Sequence, residues 1–177
     1  MLKILLLSTL IIFSTSSSSF SKHSNINLME NNLSDYLKKT RNCEVGNSYI
    51  KLKAESIIKG SKSTRDKAEK LFLFVRKNIK YERYSNTKQG ALKTLKKGKG
   101  NCCDQAHALV ALLRSVGIPA RYQRGICQGA SSGHIWAQTY VDGKWATVDP
   151  TNKINDFDNV RRCKSPRNVS TYQQLPF

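Results

Sequence analysis

Apolar positions along this chain change spacing twice, and each change marks a change of structure. From Tyr49 to Lys59, Ile50, Ala54, Ile57 and Ile58 recur at helical spacing until Gly60 ends the pattern. Ser63 or Thr64 can cap a second helix, in which Ala68, Leu71, Phe72, Val75 and Ile79 form one buried stripe. After Tyr81 to Asn86 comes a Lys- and Gly-rich connection that ends at Gly100. From Cys103 to Val116 the residues Ala106, Leu109, Val110, Leu112, Leu113 and Val116 cover so much of the circumference that this helix must be enclosed. Gly117 stops it and Pro119 prevents it from resuming.

The spacing then shortens. Ala120 to Cys127, His134 to Val141 and Lys144 to Asp149 are expected as strands, the last two joined by an Asp142-Gly143 hairpin turn. Helices followed by an antiparallel sheet define an α+β fold with one central helix packed on the sheet. There are no repeats and no internal domain boundary.

The N-terminal region follows a different rule. Lys3, the apolar run Ile4 to Phe13 and the small residues Ser14 to Ser19 predict a signal peptide over residues 1–21, its apolar run too short to span a bilayer. Residues 22–42 are polar and are expected to form a weakly ordered leader, with the folded domain over 43–177. The export signal places the mature chain outside the cytoplasm.

Charge narrows the partners. The 177 residues carry a formal net charge of +18, with the basic residues spread along the chain and no nucleic-acid-binding module. An anionic cell surface or wall polymer is the expected partner, and specific nucleic-acid recognition is not. The protein is expected to act as a monomer, without cofactor or metal.

Five cysteines, Cys43, Cys102, Cys103, Cys127 and Cys163, are an odd number in a compartment that permits disulfides. Cys102 begins the enclosed helix, where the helix dipole and free backbone donors favour a thiolate. Gly98 and Gly100 let the backbone turn into that position. Cys103 lies about 100° further round and points elsewhere.

A thiolate needs a base, and the chain has three histidines. His23 lies at the expected cleavage site, and His107 lies four residues beyond Cys103 as a packed polar residue. His134 opens a strand. With a two-residue turn, Val141 faces Lys144, which sets Trp136 opposite Asp149 and His134 one diagonal step away on the same face. Cys102, His134 and Asp149 thus have the makings of a nucleophile, base and orienting acid, with Trp136 as a shield from water. A zinc site from Cys102, Cys103 and His107 would lack a fourth ligand. With Cys102 reserved, the other four cysteines allow three pairings, of which Cys103 with Cys127 and Cys43 with Cys163 is the expected one.

The segments Gly100 to Ala106, Leu112-Leu113-Arg114, Gly117 to Tyr122 and Gly133 to Trp136, then Trp145 and Asp149, resemble the core of the transglutaminase-like superfamily. The resemblance implies a papain-like Cys-His-Asp triad, and its register selects Cys102 over Cys103. Upstream, Thr40 to Cys43, Phe74 to Tyr81 and Tyr84 to Ala91 are similar to secreted transglutaminase-like proteins of methanogenic archaea, the pseudomurein endoisopeptidases among them. Those relatives imply cleavage of an Ala-to-Lys isopeptide link in the archaeal wall. Three readings stay open: a secreted cysteine peptidase or isopeptidase, a transglutaminase with an amine acceptor, and a non-catalytic surface-binding domain. An intact triad argues against the third.

Overall fold

The computed structural model describes residues 33–164, 170–172 and 174–175. The expected signal peptide, His23 and leader residues 22–32 lie outside the described residues. Helix α1, Ser48–Ile58, is capped by the Asn47 side chain, which accepts from the Tyr49 and Ile50 amides. Helix α2, Thr64–Asn78, is capped by Ser63 and buries Ala68, Leu71, Phe72 and Val75, as its stripe predicted. A short strand β1, Lys80–Tyr81, pairs in parallel with β2, Lys99–Gly100.

Between them the expected connection is in fact a helix, α3, Gly90–Lys97, which buries Ala91, Thr94 and Leu95 and ends on a left-handed Gly98. A helix this short holds only through the face it packs on α4, the next helix, Cys102–Ser115.

α4 is the enclosed element: every residue from Cys103 to Arg114 is buried. It packs against α1, α2, α3 and the sheet. Its C-terminus closes as a Schellman motif, with the Ile118 amide donating to Leu113 O and the Gly117 amide to Arg114 O.

The chain then enters the antiparallel sheet: β3, Ala120–Cys127; β4, Ala130–Val141; β5, Lys144–Val148; β6, Cys163–Lys164; and β7, Ser170–Tyr172. β4 is flanked by β5 and β3, and both β6 and β7 pair with β3. β4 begins four residues earlier than the alternation predicts, because Gln128-Gly129 folds β3 and β4 into a hairpin. The Asp142-Gly143 turn has positive φ at both residues, 52° and 75°, as a type I′ turn requires. Val141 faces Lys144 and Ala137 faces Val148, the predicted register. The architecture is α+β, a cysteine-bearing central helix packed on an antiparallel sheet.

Two further expectations are corrected. Residues 33–42 of the leader are ordered, with a 3₁₀ turn at Asp35–Leu37. Tyr36 packs edge-on against Trp145 at 5.0 Å, and the buried Arg114 guanidinium donates to both Lys38 O and Ala120 O. A buried guanidinium must find acceptors, and the leader backbone supplies one.

The disulfide joins Cys127 to Cys163, not Cys103 to Cys127 or Cys43 to Cys163. The reason is β6, which sets Cys163 directly across the ladder from Cys127. Cys43 and Cys103 are free and buried.

Candidate active site

The site is assembled where α4 begins. Asn101 caps the helix, its side-chain oxygen accepting from the Asp104 amide at 3.0 Å while its amide nitrogen donates to Tyr84 O and Asn86 O. Asp104 is fully buried. Its carboxylate accepts from the amides of Lys88, Gln89 and Gly90 and from the Tyr84 hydroxyl, which fixes the 84–90 loop to the helix start.

Gly100 makes that junction possible. A Cβ there would stand 2.8 Å from Asp104 Cβ and 3.2 Å from Thr94 Cγ2. Both atoms sit close to helix backbones, so Gly100→Ala must displace the Asp104 clasp. It should cost about 1–3 kcal/mol of stability and lower turnover; thermal melting of the purified variant checks the first and an activity assay the second.

At the top of this junction Cys102 is half-buried and opens onto a cleft of about 690 Å³. His134, near the start of β4, donates through Nε2 to Asp149 Oδ2 at 2.9 Å. Cys102 lines the same cleft, within reach of the imidazole. Asp149 follows directly on β5, where the predicted hairpin register carries it to His134. Trp136 lies 5.8 Å from the His134 ring, between centroids, and is buried, with its indole N–H on Gln123. The residues expected to work together are brought together.

The acid is itself held. Asp149 is 1% exposed, and beyond His134 its oxygens accept from the Thr151 amide and hydroxyl and from Asn155 Nδ2. Thr151 was findable, since an Asp that accepts from the amide two residues on is a common turn device. Asn155 is brought in by the tertiary fold alone.

Electrostatics follow from these contacts. The Cys102 thiol is pushed down to about 4, first by a hydrogen bond from the Cys103 thiol, against burial, then by the hydrogen bond and charge of His134 and a backbone hydrogen bond from Ile135. Burial works against a charged His134, yet the hydrogen bonds and charges of Asp149 and Cys102 outweigh it and push the imidazole up to about 10. Both shifts favour a thiolate beside an imidazolium. Cys103, expected only to point away, lines the same cleft, and its own thiol is driven up by a hydrogen bond with Cys102 and by burial.

His107 stands apart. Its ring bonds Tyr122 OH at 2.8 Å and Thr87 Oγ1 at 3.0 Å, and burial pushes it down to about 3, so it is a neutral structural group. Among the described residues, no group of three or more His, Cys, Asp or Glu gathers as a metal site, and no helix is long and apolar enough to cross a membrane.

Comparison with known proteins gives this geometry a context. The family model of the transglutaminase-like superfamily matches residues 51–150. An uncharacterized protein of Mycobacterium leprae is 36% identical over 75 residues, which is 36% of this chain and 26% of that one. A candidate cysteine protease from Cytophaga hutchinsonii superposes with a TM-score of 0.63 at 21% identity, over 79% of this chain and 53% of its own. A candidate protease from Parabacteroides distasonis gives 0.52 at 17% identity, over 70% and 26%. The chain thus spans about half or less of the proteins it matches.

Proposed function

We propose, for a chain that belongs to the transglutaminase-like superfamily, the function of a cysteine peptidase or isopeptidase acting through Cys102, His134 and Asp149. The observation that carries the reading is the His134–Asp149 hydrogen bond set in the same cleft as Cys102 at the start of α4. The thiolate attacks an amide carbonyl, and the oxyanion that forms lies by the helix start, where the Cys102 backbone N–H has no intrahelical acceptor. His134 gives its proton to the leaving amine as the C–N bond breaks, leaving a thioester. Water, deprotonated by the now neutral His134, then attacks the thioester; the C–S bond breaks, the acid is released, and the thiolate and the protonated imidazole are restored. Asp149 holds the ring with Nε2–H toward itself and stabilises the imidazolium.

The substrate in this reading is a peptide or cell-wall polymer, with the isopeptide link of pseudomurein as the specific candidate. The upstream segments similar to the archaeal endoisopeptidases support it, and so does a +18 charge suited to an anionic wall. Export is supported by the signal-like N-terminal sequence and by the Cys127–Cys163 disulfide.

Incubation with purified pseudomurein should release new amino groups and soluble peptide. In parallel, a casein and amine mixture should show no amine incorporation. Incorporation without hydrolysis would replace the isopeptidase reading by a transglutaminase one.

The ion pair also sets a pH profile. Turnover requires Cys102 deprotonated and His134 protonated. Activity should therefore rise as pH climbs through about 4, where the thiol ionises, stay level through neutrality, and fall as pH passes about 10, where the imidazolium loses its proton. Initial rates of kcat/KM across buffers check this; a rise that begins only near pH 8 would mean an ordinary thiol.

A further inference from the structure

The cleft in front of Cys102 has walls of one charge. Arg83, Arg124, Arg161 and Arg162 line it, and Asp149 is its one carboxylate among the described residues. Asp149 is turned away from them, its oxygens taken by His134, Thr151 and Asn155. Arg161 is partly neutralised by Asp156 at 2.9 Å. Arg83, Arg124 and Arg162 form no ion pair among the described residues.

These groups come from separate parts of the chain: the loop after β1, the middle of β3 and the turn before β6. Arg124 lies across from Ile135 in the ladder, and its guanidinium passes over Gly133, where a Cβ would stand 3.4 Å from Nε, next to His134. Arg162 adopts a left-handed backbone, φ 61°, unusual for so bulky a residue. Its turn is secured on both sides, by Arg162 O accepting from the Gln128 amide at 2.9 Å and by the Cys127–Cys163 disulfide that follows. Like charges set around one cleft repel one another, and an anion entering the cleft offsets that repulsion. The planar fork of a guanidinium matches a carboxylate in particular.

We propose that the cleft selects acidic substrates, peptides carrying a carboxylate beside the amide presented to Cys102, with Arg83, Arg124 and Arg162 receiving that carboxylate. This rests on Cys102 as the nucleophile and adds a specificity that neither the triad nor the family match supplies.

A pair of alkylating probes tests it without knowledge of the natural substrate. Iodoacetate and iodoacetamide react alike: the Cys102 sulfur forms a bond to the methylene carbon, and the C–I bond breaks with its electrons leaving as iodide. They differ only in that one carries a carboxylate beside the reacting carbon. The readout is the ratio of their Cys102 labelling rates at neutral pH, followed by mass spectrometry, so a change in thiol reactivity cancels.

Combined Arg83→Gln, Arg124→Gln and Arg162→Gln substitution should lower the ratio by about 5-fold or more, and added salt should lower it in the parent protein. The matched control, Lys59→Gln with Lys62→Gln and Lys93→Gln, removes the same charge away from the cleft and should leave the ratio within about 1.5-fold. A ratio lowered equally by both triples would assign the effect to overall charge and overturn the proposal, as would a ratio that neither changes.

Protection extends the test to peptides. N-acetyl-Ala-Glu-Ala amide should slow iodoacetamide labelling at lower concentration than its Gln counterpart, and lose that advantage in the arginine triple variant. An equal effect of the two peptides, none included, also overturns the proposal. Failure of iodoacetamide itself to label Cys102 at neutral pH is a different result, and it counts against the nucleophile assignment.

Discussion

Cys102→Ala should reduce amide turnover to background, a loss of at least about 10⁴-fold, while the protein stays folded. No other thiol can take over. Cys103 is buried, Cys43 is buried with its thiol pushed up to about 11, chiefly by burial, and Cys127 and Cys163 are bonded to each other. Cys103→Ala separates the roles of the adjacent pair. It removes the first of the contacts that hold the Cys102 thiol down, so activity should persist at about a tenth of the parent level with the acid limb of the pH profile moved upward. Initial rates on one substrate, with circular dichroism to verify folding, test both variants. Full activity in Cys102→Ala would end the catalytic reading.

Asp149→Asn should show the second large effect, a loss of kcat/KM of about 10 to 10⁴-fold with little change in fold. The amide keeps the shape of the carboxylate, so packing around Asn155 and Thr151 is preserved. What goes is the charge. Because Asp149 supplies the leading contacts that raise His134 against burial, its removal lets the imidazole fall from about 10 toward the ordinary histidine range near ~6.5 or below. The alkaline limb of the profile should therefore move down by several pH units, while the acid limb moves little. The two limbs distinguish an orienting acid from a group that merely supports the fold: loss of rate with an unmoved alkaline limb would assign Asp149 a structural role only.

Most of the scaffold and all three proposed site residues were legible in the sequence because each rests on short-range rules. Ser63, expected as a cap, reaches an amide three residues away. The near-continuous apolar circumference of Cys103 to Val116 marks an enclosed helix wherever it packs, and a two-residue Asp142-Gly143 turn fixes which residues face each other down the whole hairpin. His134 and Asp149 follow from that register, and Cys102 from the helix start.

What the tertiary structure decided has no local signal strong enough to act alone. α3 is eight residues with three lysines, stable only against α4, so its pattern resembles a basic connection. β6 is two residues long, and the pairing of Cys127 with Cys163 depends on where the returning chain meets the free edge of β3. Residues 33–42 are held because Arg114, buried in the central helix, needs carbonyl acceptors. Asn155 reaches Asp149, and the cleft arginines converge, only after these distant segments are folded together. Contacts between residues far apart in the chain offset the entropy of closing long loops collectively, so no single stretch of sequence specifies them.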